Sequence, residues 1–507
     1  RQPSSGGLND AKIVEAVKNG TLDEKVLDTA VKRILEQVYR YRDVKGGEHI
    51  FDRSADHKKA ADIAKECMVL LKNDGALPLP HSNAKIAFIG AFAKAPRIQG
   101  GGSSHINTGN ISNALDSAAK YSDVSYAEGY ERESNDTNPA LLEEAVQLAA
   151  DSDVAVIFAG LPDSFESEGY DRQHMRMPDC QNELIDEICK VQENVIVVLH
   201  NGSPVEMPWN DKVSAVLEVY LCGEATGEAT ADILFGKANP CGKLAETIPM
   251  KLSDTPSYLT FPGDRHAEYN EGVFVGYRYY DKKEMAVRYP FGHGLSYTTF
   301  EYSDIKLSDT AVGDDDILTV NVVITNTGNC AGKEIVQLYV ADKSGFAVRP
   351  EKELKDFIKI ELQPGERKTV TFRLDKRAFS YYNEELGDWY APNGKYDIMI
   401  ASSSRDIRLT AEVTHKTAVK LPFVATENTV FGEFMDYAEG KATIDLLFSK
   451  VAKGLLGGDH FEPEAVRSMI GSMPLRQIRS FGGISDELLH QAVDMLNKDF
   501  GGFKAQM

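Results

Sequence analysis

The sequence predicts an α/β domain built on a largely parallel sheet sandwiched by helices, followed by an all-β sandwich and a helical C-terminal tail. Apolar runs of strand length alternate with helical stretches through the first half of the chain, and from about residue 299 short period-2 runs separated by turn residues replace them. Boundaries drawn from these changes divide the chain into residues 1–50, 51–298, 299–413 and 414–507.

The first element is a helix. Thr21-Leu22-Asp23-Glu24 has the spacing of a capping box, and Leu27, Ala30, Val31, Ile34, Leu35 and Val38 recur at helical spacing before the pattern ends near Tyr39. Its apolar face needs a partner. A linker over 42–50 leads to a second helix over 60–71. Buried strands are predicted at 85–89, 154–159, 195–199 and 213–219, with helical stretches such as 141–150 and 181–191 between them. That alternation is the signature of a parallel sheet. Cys222-Gly223-Glu224-Ala225-Thr226-Gly227-Glu228-Ala229 then opens a helix running to Phe235. This turn reads as packing, with Glu224 or Glu228 as a minor candidate for lining a cleft.

Residues 239–297 are loop-rich and heavy in Tyr, Gly and Pro, the composition of a long connection glued to a domain surface by its rings, although tyrosines can also stack on sugars. Period-2 runs follow at 318–325, 334–340, 353–359, 368–374 and 394–400. The turn signals Asn326-Thr327-Gly328, Pro364-Gly365 and Pro392-Asn393-Gly394 punctuate them. These spell a β-sandwich of immunoglobulin-like or fibronectin type III kind. Helices over 441–453 and 484–496 complete the tail.

Composition narrows the function. At 507 residues and 42% hydrophobic content the chain has material for several cores, and its apolar runs are too short to span a membrane. A net charge of −21 argues against nucleic acid or an anionic membrane as partner. Six scattered cysteines, with no C-x-x-C and no metal-ligand spacing, read as free thiols and lean towards a cytoplasmic location. No metal or organic cofactor is implied.

Two loops carry the candidate chemistry. Glu166-Ser167-Glu168-Gly169-Tyr170-Asp171-Arg172 follows the strand at 154–159, so its carboxylates sit at the carboxyl end of the sheet, where α/β folds place their ligands. Gly169 permits a sharp turn, and Asp171 with Arg172 can anchor the loop. The alternative is a solvated acidic loop. After the strand at 85–89 comes Gln99-Gly100-Gly101-Gly102-Ser103-Ser104-His105, a tight loop rich in donors and acceptors that suits a polyhydroxylated ligand. It matches neither the dinucleotide fingerprint nor a P-loop.

These two loops, together with Gly236-Lys237-Ala238-Asn239-Pro240-Cys241-Gly242-Lys243-Leu244, Glu271-Gly272-Val273-Phe274-Val275-Gly276-Tyr277-Arg278-Tyr279-Tyr280 and Pro290-Phe291-Gly292-His293-Gly294-Leu295-Ser296-Tyr297, occur in the order seen in glycoside hydrolase family 3, and the chain most resembles its β-glucosidases. The resemblance weakens after about residue 415. It implies a retaining exo-β-glycosidase in which a barrel domain supplies an Asp nucleophile and the following α/β domain supplies the acid/base. By motif position the acid/base is Glu168, with Glu166 as alternate. Ser103 contacts the terminal sugar, Ser104 and His105 are its neighbours, and Asp171 and Arg172 support the loop. The sandwich corresponds to the family's fibronectin type III-like domain.

Residues 5–10 and the helix after them resemble the very end of the family's barrel, so the rest of the barrel, with its nucleophile, is expected upstream of Arg1. The chain also starts without Met and without a basic-apolar leader. The reading is therefore the C-terminal portion of a β-glucosidase, incomplete and inactive alone. Its partners are the barrel and a small oligosaccharide or an aryl or alkyl β-glucoside. The alternatives are a β-xylosidase of the same family, or a non-catalytic carbohydrate-binding or scaffold chain. Retaining cleavage needs two carboxyl groups roughly 5–5.5 Å apart, and the acid must be neutral before it can donate. The pKa of Glu168 is thus expected to be raised by desolvation and by the nucleophile's charge.

Overall fold

The computed structural model describes residues 7–44, 51–80, 84–434, 437, 468, 470–477, 479–480 and 485–504. Residues 1–57 and 58–507 form two compact units. The first contains α1 (Asp10–Lys18) and α2 (Glu24–Val44). Asp23 caps α2, its carboxylate accepting the Lys25 N–H at 3.0 Å, whereas Thr21 donates its hydroxyl to the Ala16 carbonyl at 3.2 Å. The predicted Thr21 capping box is therefore replaced by a cap two residues later. The helix also runs past Tyr39, because residues 40–44 contain neither Gly nor Pro to stop it. Val31, Ile34, Leu35 and Val38 are 47, 48, 46 and 55% exposed, so the apolar stripe lies open.

Helix α3 (Arg53–Cys67) stops four residues short of the predicted end, where β1 (Val69–Asn73) begins. Met68, Val69, Leu70 and Leu71 form a continuous apolar run without helical period, buried in the sheet rather than on one helix face. The sheet continues with β2 (Ile86–Ile89), β3 (Val124–Ala127), β4 (Val154–Gly160), β5 (Val195–His200) and β6 (Ala215–Glu218). Its order is β1-β6-β5-β4-β2-β3, parallel except for β1, which pairs antiparallel with β6. Strand β3 is not among the predicted strands, because it is an edge strand whose Val-Ser-Tyr-Ala reads as neither an apolar run nor a clean alternation. The central β4 is buried along its whole length; truncating a ring such as Phe158 to Ala there would cost ~3–5 kcal/mol.

Helices α4 (Ala114–Ala118), α5 (Pro139–Ala150) and α6 (Asp179–Ile188) join successive strands from β2 to β5, and α7 (Thr226–Leu234) follows β6. The order makes a topological switch. From β2 the chain moves outwards to β3, then returns across β2 to β4 and continues the other way to β5. The loops leaving β2 and β4 therefore diverge and leave a crevice at the carboxyl ends of these two neighbours, the place where such sheets bind ligands.

The connection 239–297 holds the short pair β7 (Ile248–Pro249) and β8 (Val287–Tyr289), and α8 (Tyr277–Lys282). Several of its tyrosines anchor it. Tyr277, Tyr280 and Tyr289 are buried, and the Tyr297 hydroxyl donates to the Ile233 carbonyl at 2.9 Å. Tyr258 and Tyr269 stay exposed.

The sandwich packs a three-stranded sheet, order β14-β11-β9, against a five-stranded one, order β10-β18-β17-β12-β13. Its strands are β9 (Phe300–Leu307), β10 (Ala311–Gly313), β11 (Leu318–Asn326), β12 (Gly332–Asp342), β13 (Glu353–Leu362), β14 (Arg367–Leu374), β17 (Gly394–Ser403) and β18 (Asp406–Lys416). Between β14 and β17 lie the one-turn helix α9 (Lys376–Phe379) and the hairpin β15 (Tyr381–Asn383) and β16 (Asp388–Tyr390). In β11, Leu318, Val320, Val322 and Ile324 are fully buried while the residues between them are not, so the period-2 pattern reports the core face.

In the tail, α10 (Asp486–Phe500) starts after Ser485, whose hydroxyl accepts the Leu488 N–H, and ends at Gly501 with φ +58°. Strands β19 (Leu421–Pro422) and β20 (Phe503–Lys504) pair beside it. The helix expected over 441–453 lies outside the described residues. Among the described residues no helix is long and apolar enough to cross a membrane, and all six cysteines are free.

Candidate active site

The loops after β2 and β4 meet over the switch crevice. Gly160 ends β4 with φ +148° in close approach to the His200 carbonyl at the end of β5, where a Cβ would collide. Leu161 N–H then donates to that carbonyl at 3.0 Å, and Phe165 N–H closes a turn on the Pro162 carbonyl. The Tyr170 hydroxyl ties the loop back to the Asp163 carbonyl at 2.7 Å. This fixes two glutamates in different settings.

Glu166 faces inwards. Its Oε2 accepts Arg97 Nη1 at 2.6 Å and the Gly202 N–H at 2.8 Å, its Oε1 accepts the Ser203 hydroxyl, and its carbonyl accepts Arg97 Nη2 at 2.8 Å. Burial raises its pKa, but these donors and the Arg97 charge outweigh that and hold it below the usual range. Arg97 is 2% exposed and also contacts Asp163 and the Leu161 carbonyl. Glu166 is thus the counter-ion of a buried guanidinium, with both oxygens engaged.

Glu168 is the outward one. Its Oε2 accepts the Ser103 N–H at 2.5 Å and the Ser103 hydroxyl. The Ser103 hydroxyl and N–H lower its pKa, so the carboxylate in this exposed state is ionised. The expected rise is therefore not met here: desolvation opposes the two donors but does not outweigh them, and no neighbouring negative charge adds to it. The glycines explain how the loops come so close. Gly102 has φ +87°, and a Cβ there would strike the side chain of Glu168, while one on Gly101 would strike Ser167.

The remaining predicted residues divide. Ser103 is brought to Glu168, whereas Ser104 donates to the Gly100 carbonyl at 3.1 Å and His105 Nδ1 pairs with Gln99 Nε2 at 3.3 Å, both within their own loop. Arg172 anchors the second loop by donating Nη1 to Ser203 Oγ and the Pro204 carbonyl, each at 2.9 Å. It does so without Asp171, which is exposed and forms no ion pair among the described residues. Glu224 accepts the Thr108 hydroxyl and its carbonyl accepts the Ser112 N–H, so it braces the segment before α4.

Sequence reasoning missed what lies beneath. Glu218, at the end of β6, is buried, and desolvation pushes its pKa up to about 8; its oxygens meet Asn201 Nδ2 at 3.0 Å and the Tyr220 N–H at 2.9 Å. Glu246 is pushed up to about 7 by burial and by the charge of Glu166. It lines a cavity of about 360 Å3 together with Arg172, Ser203 and Tyr280. The signal for this layer was available in part, since Asn201-Gly202-Ser203-Pro204 follows the buried run 195–199 after the single residue His200. Chemically, the crevice offers one solvent-facing carboxylate able to exchange a proton, one hydroxyl aimed at it, and beneath them the buried Glu166–Arg97 pair.

Comparison with known proteins adds the following. Residues 68–297 match the glycosyl hydrolase family 3 C-terminal domain, and residues 334–404 match a fibronectin type III-like domain. The chain is 48% identical over 503 residues to thermostable β-glucosidase B of Acetivibrio thermocellus, covering 98% of this chain and 66% of that protein. It is 40% identical to an exo-α-(1→6)-L-arabinopyranosidase of Bifidobacterium breve over 84% of this chain and 57% of that one. Among solved structures, the Bifidobacterium adolescentis family 3 β-glucosidase superposes with a TM-score of 0.78 at 41% identity, covering 86% of this chain and 64% of that chain. The β-glucosidase 3B of Thermotoga neapolitana, solved with α-D-glucose, gives 0.69 at 34% identity, covering 80 and 60%. The chain thus spans under two thirds of the length of these relatives.

Proposed function

This chain belongs to glycoside hydrolase family 3, and from that premise we propose that it is the C-terminal portion of a retaining exo-β-glucosidase, in which Glu168 is the general acid/base. The observation that carries the reading is the meeting of Glu168 and Ser103 at the switch crevice. The nucleophile, an aspartate of the family's barrel, lies on polypeptide outside these residues. In this division residues 1–50 are the barrel's last helix and linker, 51–298 the acid/base domain, 299–413 the sandwich and 414–507 an extension.

A terminal β-D-glucosyl residue entering the crevice takes over the Ser103 hydroxyl through one of its own hydroxyls and releases Glu168 Oε2. Sugar and barrel exclude water, and the nucleophile adds negative charge, both of which raise the Glu168 pKa. The neutral acid then protonates the departing oxygen while the aspartate attacks the anomeric carbon. In the second step the same carboxylate takes a proton from water as the glycosyl-enzyme is hydrolysed. Glu166 does not compete for this role because Arg97, Gly202 and Ser203 occupy it.

The test is to assay the purified chain alone on an aryl β-glucoside, and again with a family 3 barrel supplied in trans. Activity only with the barrel is expected. Turnover by the chain alone would require a nucleophile within it and would overturn the division of labour; no turnover in either case would favour the non-catalytic reading. The arabinopyranosidase relatives favour one second specificity, so an aryl α-L-arabinopyranoside belongs in the panel, together with an aryl β-xyloside for the β-xylosidase alternative.

A further inference from the structure

The sandwich carries a cleft of about 490 Å3 that the proposed catalysis does not use. One wall is the hairpin β15–β16, which contributes Tyr381, Tyr382 and Trp389. Tyr382 and Trp389 are 52 and 36% exposed, with ring centroids 5.4 Å apart and edge to face. The other walls carry Arg278, Arg349, Lys355, Arg373 and Arg377 against only two carboxylates, Glu353 and Asp375. This local positive excess sits in a chain whose net charge is −21.

Pairing sharpens the imbalance. Glu353 is shared by Arg349 at 2.6 Å, Lys355 at 3.5 Å and Arg278 at 3.8 Å, and Arg349 has a second carboxylate partner in Asp342 at 3.2 Å, behind the cleft wall. The Asp375 carboxylate caps α9 by accepting the Arg377 N–H at 2.9 Å. Arg373 and Arg377 are left with no carboxylate at ion-pair distance among the described residues, and the Arg377 guanidinium lies over the Trp389 ring. Burial, and after it the guanidinium charges of Arg349 and Arg278, depress the Lys355 pKa despite Glu353.

Flat aromatic rings recognise the C–H face of a pyranose, and a guanidinium fork recognises a carboxylate in the same plane. A neutral sugar would leave Arg373 without a charged partner and Arg377 with only the face of Trp389, and a simple anion would leave the rings unused. We propose that this cleft is a second saccharide site that binds a sugar bearing a carboxylate, a uronic acid residue, between the Tyr382–Trp389 rings and the Arg373 and Arg377 guanidiniums. The proposal stands apart from the acid/base assignment.

The chain itself supplies the reporter. It has two tryptophans, and Trp209 is fully buried, so a ligand-dependent change in emission reports Trp389. The full chain is titrated with a glucuronate-terminated disaccharide, with cellobiose, with a glutamate-rich peptide and with inorganic phosphate. The expected result is saturable binding of the uronate about tenfold or more tighter than of the other three, weakening as salt rises. Arg373→Gln and Arg377→Ala should each weaken it about tenfold with the unfolding midpoint unchanged. Calorimetry on Arg377→Ala confirms the loss independently of the change that substitution makes to Trp389 emission. Absence of saturable binding, equal binding of cellobiose, equal binding of the peptide or phosphate, or undiminished affinity in both arginine variants would overturn the proposal.

Discussion

Ser103 and Glu168, 65 residues apart in sequence, share one oxygen: Glu168 Oε2 accepts both the backbone N–H of Ser103, at 2.5 Å, and its hydroxyl. Those donors keep the carboxylate ionised while the crevice is open. Replacing Ser103 with Ala removes one of them and should move the Glu168 pKa upward, towards the ordinary carboxylate range. The carboxyl carbon shift of Glu168, followed by NMR against pH and assigned with Glu168→Gln, measures this; a downward or absent shift would show that the hydroxyl does not set the charge.

Gly102 lets the two loops touch. A Gly102→Ala substitution must place a methyl against the Glu168 side chain at φ +87°, so it should part the loops, cost ~1–2 kcal/mol and abolish the Ser103 effect on Glu168. Chemical denaturation and the same carboxyl titration check both halves of the expectation.

The two glutamates should separate by stability. Glu166→Ala leaves the buried Arg97 cation short of its main partner and should lower stability by ~3 kcal/mol, the scale of breaking a buried pair. Glu168→Gln, at an exposed position, should leave the unfolding midpoint where it was. Denaturant midpoints of the two variants decide this; equal losses would mean that the inward and outward assignments are wrong.

This contrast was only half legible in the sequence. Strands β2, β4, β5 and β6 and the main sandwich strands announced themselves because buried parallel strands and half-buried antiparallel ones leave simple hydrophobic patterns. Helix α3 was overrun into β1 because Met68 to Leu71 is apolar under either reading. Edge strand β3 and the hairpin β15–β16 carry too little pattern to be seen. The Glu166–Arg97 pair joins two loops across 69 residues, and no local spacing encodes it. Glu218 and Glu246 could not be singled out, since their shifts come from burial decided by the whole sheet.

Glu218 also makes the stability of the domain depend on pH. The unfolded chain releases this proton at the ordinary glutamate pKa of about 4.3, while the folded chain keeps it to about 8. Across that interval the folded state binds more protons, so its stability falls as pH rises, by up to ~1.4 kcal/mol per pH unit. Glu218→Gln should flatten the decline and leave the variant relatively more stable above pH 8. Thermal midpoints recorded from acid to alkaline pH test it; parallel profiles for both proteins would place the cause elsewhere.

The central claim, that Glu168 delivers the proton to the leaving group, is tested most directly by leaving-group dependence. In the chain joined to a family 3 barrel, kcat/KM of Glu168→Gln is compared with that of the parent on aryl β-glucosides whose phenols range from strongly to weakly acidic. The account predicts a loss of about 10²–10⁴ on poor leaving groups that shrinks towards nothing as the phenol becomes more acidic, with no such slope for Glu166→Gln. Undiminished cleavage of the poor-leaving-group substrates by Glu168→Gln would contradict it.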